Sequence, residues 1–188
     1  MNDLNQISTG SEYIYRDFSQ WTSLNDTIMG GSSQLSLIYN NIGLEMNGNI
    51  IEESGGFVSC CSPRFEKNVD LSKYKGILIK VEGEGRTLKF AISSHSDQKG
   101  ISSFFYRGIR WVAEVPTRTK GITELKIFFK SFKPCRRAKK VFVPWPLDTS
   151  AISQFQLLHS KFGMPGKLNE GFRSGQIRIL LHSITAFY

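Results

Sequence analysis

The residues best suited to chemistry are thinly spread along this sequence. His95, His159 and His182 stand far apart, without the short spacing that pairs zinc ligands. A hydrolytic nucleophile would need Ser or Cys beside a His and an acid, and no G-x-S-x-G turn presents one, so only a triad assembled from distant residues stays open. We therefore predict a protein that is not an enzyme and has no catalytic residue, no metal ligands and no cofactor.

Two weaker patterns concern phosphate and calcium. The stretch Gly83-Glu84-Gly85-Arg86 lacks the third glycine and the following helix of a dinucleotide-binding loop, and a hairpin turn accounts for it better. Loop acids at Asp26, Glu52, Glu53 and Asp70 match no defined calcium loop. A structural calcium ion remains an open alternative.

The cysteine content indicates a reducing compartment. Three cysteines cannot form a disulfide framework, and Cys60 and Cys61 are neighbours in a predicted strand, where they point to opposite faces. No apolar run approaches the roughly 20 residues that span a bilayer. We expect a cytoplasmic protein, in a bacterial cytosol or, if processed, in an organelle stroma or matrix. Peripheral association with a membrane is compatible with this expectation.

Positive charge is concentrated in the second half of the chain. Residues 1–60 hold one basic residue against seven acids, a net of −6, and residues 61–188 have a net of +14. Within 118–140, nine basic residues face Glu124 alone. Such a bias attracts anionic partners, namely acidic proteins, nucleic acid or an anionic membrane, although a solvated surface is the simpler alternative.

The predicted partner-binding residues lie in and just after this basic segment. Trp145, held between two prolines, could anchor a partner or plug one end of the core. Phenylalanines at 128, 129 and 132 alternate with lysines, a pattern that RNA-binding surfaces share. The predicted binding residues are Lys133, Arg136, Arg137, Lys139, Lys140 and Trp145.

The elements that must position these residues are short strands. Period-2 alternation predicts strands at 13–18, 33–39, 55–61, 76–82, 86–93, 102–107, 109–115, 123–129, 152–158 and 176–187. Turn residues separate them, including Asn47-Gly48-Asn49 and Gly83-Glu84-Gly85, and no long helical periodicity occurs. We predict one all-β domain over 1–188, an antiparallel β-sandwich.

One stretch carries a family resemblance. Residues 21–33 resemble the W-x-x-x-N-D-x-x-M-G-G-x-S signature of the complex I intermediate-associated protein 30 family, and Gly55-Gly56-Phe57 follows in the family's order. The likeness covers about 15–187 and implies a galactose-binding-like jelly roll. It also implies a non-catalytic assembly factor for a membrane-bound respiratory or photosynthetic complex, whose partners are subunits or intermediates of that complex.

We expect the signature residues to build the fold rather than to bind a ligand. Glycines allow φ > 0 or close approach, Asn and Asp form turn bonds, and Trp21 and Phe57 are expected in the core. The residues concerned are Trp21, Asn25, Asp26, Met29, Gly30, Gly31, Gly55, Gly56 and Phe57. An RNA-binding or translation-linked factor in photosynthetic gene expression is the alternative function, and a carbohydrate-binding module is the third.

Overall fold

Two antiparallel β-sheets packed face to face make up the computed structural model of the protein. It describes residues 14–94, 108–136, 139–143, 145–164 and 167–188. The strands, in chain order, are β1 Ile14–Tyr15, β2 Thr22–Ser23, β3 Gln34–Tyr39, β4 Leu44–Ile50, β5 Phe57–Cys61, β6 Gly76–Glu82, β7 Thr87–Ser94, β8 Arg110–Pro116, β9 Thr123–Phe128, β10 Lys133–Arg136, β11 Lys139–Lys140, β12 Ile152–Ser160 and β13 Gly175–Phe187. The predicted antiparallel sandwich is confirmed.

Strand order places the chemically distinctive segments at sheet edges. The six-stranded sheet has the order β3-β4-β13-β6-β9, with β1 also paired to β13, and the seven-stranded sheet has the order β11-β10-β8-β7-β12-β5-β2. The basic segment thus lies at an edge of both sheets, with β9 in the six-stranded sheet and β10 and β11 in the seven-stranded sheet. In the described residues the helical structure is two 3₁₀ turns, Asp26–Met29 and Phe129–Ser131, and neither has the length or apolarity to cross a bilayer.

Alternating side chains from both sheets form one shared core. In β7, Leu88, Phe90 and Ile92 point into it, as the alternation predicts. Lys89 and Ala91, on the other face of β7, are buried as well. The Lys89 ammonium donates hydrogen bonds to the carbonyls of Phe162 and Gly163 at 2.6 and 3.3 Å, so a loop covers this face.

The turn predicted at Asn47-Gly48-Asn49 is wrong, because these residues lie inside β4. Gly48 sits opposite Leu35 of β3, and a Cβ at Gly48 would overlap the Gln34 carbonyl. Glycine here permits close approach of a neighbouring strand rather than a turn. By contrast, the predicted turn at 83–85 is confirmed, with positive φ at Glu84 and Gly85 between β6 and β7.

The other strand predictions agree within a few residues, with three further exceptions. β2, β10 and β11 were not predicted. Predictions for 102–107, His95 and Arg137 fall outside the described residues.

Candidate binding surface

The β10–β11 hairpin brings most of the predicted basic residues together at one sheet edge. Cys135 pairs with Lys140, and Arg136 pairs with Lys139. Lys133, Arg136, Lys139 and Lys140 are all exposed, and we call these four residues the basic edge. Charged residues on an edge strand discourage pairing with other chains, and they also present a compact field to an anionic partner.

The lysines of the basic edge are not neutralised within the described part of the chain. The ion pairs found there join Lys80 to Glu124, Arg86 to Glu84, Arg178 to Glu45 and His182 to Glu82. None of them involves Lys133, Lys139 or Lys140. Their charge is therefore directed at solvent or at a partner.

Phe142 is the site residue that sequence reasoning missed. Its side chain is 86% exposed, the highest value among the large hydrophobic residues described. The Val141 N–H donates to the Pro134 carbonyl at 3.4 Å, and continuing that register places Phe142 opposite Lys133. Val141 and Val143 pack against the core, so the alternation Val-Phe-Val was the signal for an outward ring.

Trp145 lies between the two alternatives drawn from the sequence. Its side chain is half-buried and packs against the main core. Part of the indole ring therefore covers the core, as one alternative predicted, and the rest of the ring is exposed to solvent. Trp145 and Phe142 therefore differ in exposure although only two residues separate them.

Of the three phenylalanines that alternate with lysines in and after β9, one has a clearly exposed ring. Phe132 is buried and Phe129 packs against the core, whereas Phe128 is 42% exposed. The Lys130 ammonium lies 5.6 Å from the centre of the Phe128 ring. Phe128 also meets Phe187 edge-on, with 5.3 Å between ring centres.

Asp26 organises the signature segment from a fully buried position. Its carboxylate accepts hydrogen bonds from the Ser33 N–H at 2.9 Å, the Ser33 hydroxyl at 2.6 Å, the Gly56 N–H at 2.7 Å and the Phe57 N–H at 3.3 Å. Burial acts to raise the pKa of Asp26, but these hydrogen bonds outweigh it and hold the pKa below its ordinary value.

Two signature glycines make room for this carboxylate. A Cβ on Gly31 or on Gly55 would overlap the side chain of Asp26. Gly30, which ends the 3₁₀ turn, and Gly56 have φ of 88° and 98°, a region that glycine adopts without strain. In each glycine pair, 30–31 and 55–56, one glycine adopts a positive φ and the other leaves room for the Asp26 side chain.

The remaining signature residues divide between core and surface. Trp21 is buried, and its indole N–H donates to the Tyr15 hydroxyl at 3.2 Å. Phe57 was expected in the core but is half-buried, because Val58 and Cys60 are the residues of β5 that point inward. Asn25 forms no side-chain capping bond, and Met29 is 71% exposed.

His159 and the three cysteines are buried within structural contacts, whereas His182 is partly exposed and lies 3.0 Å from Glu82. The Nδ1 atom of His159 lies 3.0 Å from the Thr87 carbonyl oxygen, and its Nε2 atom accepts a hydrogen bond from the Arg173 N–H at 3.4 Å. Burial lowers the pKa of His159 to about 4. Burial likewise raises the pKa of the Cys60, Cys61 and Cys135 thiols. His159 and the thiols are neutral at pH 7 and withdrawn from solvent.

The acids considered for calcium do not converge. Asp26 is engaged by its own chain, whereas Glu52, Glu53 and Asp70 are exposed, and Asp70 accepts from the Ser72 N–H. Over the described ranges, no group of three or more His, Cys, Asp or Glu is placed to hold a metal ion.

Part of the outer face of the seven-stranded sheet is lined by polar side chains that bond to one another, beside a small apolar cluster of Ala91, Val112 and Cys135. Arg110 donates to the Gln156 amide oxygen, and the Gln156 amide donates to the Ser59 hydroxyl at 3.0 Å. Ser59 in turn donates to the Leu24 carbonyl at 2.6 Å. These groups cross the face from β8 to β5.

Comparison with known proteins gives one family and one fold. The family model described as complex I intermediate-associated protein 30 matches residues 9–181. No curated protein sequence matches the chain.

Among solved structures, the chain is similar to the family 11 carbohydrate-binding module of the cellulosomal cellulase Lic26A-Cel5E of Clostridium thermocellum, at TM-score 0.61 and 16% identity over 96% of both chains. It is also similar to a family 11 module from the same organism in complex with a β-1,3-1,4-mixed-linked tetrasaccharide, at TM-score 0.60 and 16% identity over 94% and 95% of the two chains. The agarase AgWH50C aligns at TM-score 0.58 and 12% identity, over 95% of this chain and 25% of that one. These similarities show a galactose-binding-like β-sandwich fold.

Proposed function

This chain belongs to the complex I intermediate-associated protein 30 family, and from that membership we propose that it is a non-catalytic assembly factor for a membrane-bound respiratory or photosynthetic electron-transfer complex. The family has a role in complex I assembly. The observation that carries the proposal is the family match over residues 9–181, nearly the whole chain. The factor acts on subunits or assembly intermediates from their aqueous side.

The proposal that the protein does not catalyse a reaction has physical support. A general acid or base needs to reach a substrate and to titrate near the working pH. His159 is fully buried, and burial lowers its pKa to about 4, which removes the imidazole from that role at neutral pH. The three thiols are buried, and their pKa values are raised, which disfavours the nucleophilic thiolate.

The proposed working surface is the basic edge together with its neighbours Arg137 and Trp145. Exposed and unneutralised lysines at a sheet edge speed association with an anionic partner, and they do so most strongly at low ionic strength. Trp145, five positions after Lys140 in the sequence, is half-buried and offers a partly exposed apolar ring. We propose that the edge orients the factor on the membrane-bound intermediate.

Affinity capture from the native membranes tests this function. Tagged wild-type protein is expected to recover subunits of one electron-transfer complex, and a deletion strain is expected to accumulate less of that complex. The variant Lys139→Glu with Lys140→Glu is expected to recover less.

The matched control is Arg64→Glu with Lys67→Glu, which changes the net charge equally. These exposed residues follow β5 and are separated from β11 by β12, β7, β8 and β10. Recovery of no membrane-complex subunit, with normal levels of every such complex in the deletion strain, would overturn the proposed function.

RNA binding is the second candidate function, and the exposed Phe128 ring favours it. Lys130 lies beside the ring, and the Lys126 ammonium lies 5.1 Å from the centre of the neighbouring Phe187 ring, so cations flank a surface on which a base could stack. Crosslinking followed by sequencing of bound RNA tests this candidate, with Phe128→Ala as the variant. RNA retained after reversal of Arg136, Arg137, Lys139 and Lys140 would argue against the basic edge as its site.

Carbohydrate binding is the third candidate and has only the fold in its favour. The module solved with a mixed-linked tetrasaccharide shares 16% identity with this chain. The polar groups of Arg110, Gln156 and Ser59 are already bonded within the outer face. A thermal-shift screen with oligosaccharides tests it, and an unchanged melting temperature removes it.

A further inference from the structure

We propose that Phe142 and the lysines of the basic edge bind the interface of an anionic lipid bilayer. The inference deepens the proposed function by naming the chemistry that meets this edge. It rests on that function for the place of action, and the binding itself is a property of the purified chain. The lipid surface would hold the factor beside a membrane-bound intermediate.

The first support is the rigid outward placement of an apolar ring. Phe142 is 86% exposed, while its neighbours Val141 and Val143 pack against the core. The hydrogen bond from the Val141 N–H to the Pro134 carbonyl ties the segment that follows β11 to β10. The ring therefore projects without needing a conformational change, and its transfer from water to an apolar medium is favourable.

The second support is the charge around the ring. Lys133 falls opposite Phe142, and Lys140 precedes it by two residues on the same side of the strand. Lys139 projects from the other side of β11. No described acid forms an ion pair with these lysines, and Glu124, the one acid of residues 118–140, is engaged by Lys80 at 2.8 Å. Lysines at a bilayer surface interact with anionic headgroups while an apolar side chain enters the boundary below them.

The third support is the shape of the site. Phe142 and the lysines lie at an exposed edge of the seven-stranded sheet, and a bilayer accepts an outward ring without a pocket that complements it. A protein partner would have to supply such a pocket. Single-stranded RNA usually binds in basic grooves where its bases stack on aromatic side chains. The aromatic pair that best resembles such a site is Phe128 with Phe187, and it lies in the other sheet.

One ring and three lysines predict weak, reversible binding that falls with salt. A single acyl chain already gives only marginal attachment, and exposed charges are screened at high ionic strength. This strength suits a factor that associates with a membrane during assembly and then leaves it.

Co-sedimentation of the purified full chain with vesicles tests the inference. Vesicles of phosphatidylcholine with phosphatidylglycerol are expected to bind the protein, and vesicles of phosphatidylcholine alone are not. Phe142→Ser is expected to weaken binding by about tenfold or more, from the loss of one buried phenyl ring. Lys139→Glu with Lys140→Glu, or high salt, is expected to abolish it.

Three control variants make the result specific. Arg64→Glu with Lys67→Glu matches the charge change away from the basic edge, and Ile42→Ser removes an exposed apolar side chain from the other sheet. Both are expected to bind like wild type. Phe142→Leu is expected to retain lipid binding, because a bilayer needs an apolar group, whereas a stacking site for RNA needs the ring.

The outcomes separate this inference from the proposed function. Absence of binding to anionic vesicles, equal loss in the control variants, or binding of RNA that Phe142→Leu abolishes would each overturn the lipid inference. Vesicle binding without recovery of any complex subunit would leave the inference standing and remove the assembly function. Recovery of subunits without vesicle binding would support the assembly function and overturn the lipid inference.

Discussion

The Asp26 carboxylate accepts a 2.7 Å hydrogen bond from the N–H of Gly56, thirty positions along the chain. Together with the bonds from Ser33, it joins the segment before β3 to the start of β5, and these strands lie in different sheets. A buried carboxylate needs such donors, because an unpaired charge away from water is costly. The family signature therefore contains a polar link between the two sheets.

Asp26→Ala is predicted to lower the free energy of unfolding by about 2–4 kcal/mol, because four donors lose a charged acceptor and some stay buried. Chemical denaturation followed by circular dichroism measures it. Asp70→Asn, at an exposed turn, is the control and is expected to unfold near the wild-type midpoint. Equal midpoints for Asp26→Ala and wild type would refute the link between the sheets.

The lowered pKa of Asp26 predicts a pH effect of defined sign. A carboxyl whose pKa is lower in the folded protein stabilises it above the unfolded value of 3.8, and this contribution is lost as the pH falls through the folded value. Unfolding titrations below pH 5 are expected to show a steeper loss of stability for wild type than for Asp26→Asn. Parallel curves would contradict the prediction.

Gly55→Ala is predicted to destabilise the fold more than Gly121→Ala. A Cβ at Gly55 would overlap the Asp26 carboxylate, whereas Gly121 has open space around it. Gly121 has φ of 75°, so alanine there costs about 1 kcal/mol of backbone strain alone. Thermal unfolding compares the two variants, and a smaller loss at Gly55 would show that Asp26 moves aside.

His159 is predicted to reduce stability as the pH falls from 6.5 to 4. Its pKa is lowered to about 4 in the folded protein, so the unfolded chain takes up a proton first and is favoured in that range. The full effect is about 3 kcal/mol. Denaturant unfolding at several pH values measures it, and His159→Gln is expected to lose this pH dependence while keeping a donor and an acceptor.

Val141 and Phe142 are predicted to differ in their effect on stability. Val141→Ser removes an apolar contact with the core and is expected to cost about 1 kcal/mol, whereas Phe142→Ser is expected to stay within about 0.5 kcal/mol of wild type. Chemical denaturation compares the variants. The opposite order would place Phe142 in the core and remove the basis for a projecting ring.

The three thiols are predicted to resist modification in the folded protein. All are buried, and burial raises the pKa of each. Without denaturant, a chromogenic thiol reagent at pH 8 is expected to react slowly with the protein. In denaturant, the same reagent is expected to react with all three cysteines. Rapid reaction of one thiol in the native protein would identify an accessible, activated cysteine.

The sandwich could be predicted from residue patterns, because side-chain alternation in strands such as β7 and β13 reflects which face meets the core. The sequence also indicated the family, through residues 21–33, and the concentration of basic charge. These properties depend on residue type and on spacing within one segment, so they can be recognised before folding is known.

Which residues meet across segments is set by the tertiary structure. Asn47-Gly48-Asn49 has turn composition, yet Gly48 is needed where β3 approaches β4. Two donors to Asp26, the N–H groups of Gly56 and Phe57, lie thirty or more positions along the chain. The alternation Val-Phe-Val indicates an outward Phe142, but its position opposite Lys133 depends on pairing with β10. Strand pairing and close approach are relations between distant parts of the chain, and no local pattern encodes them.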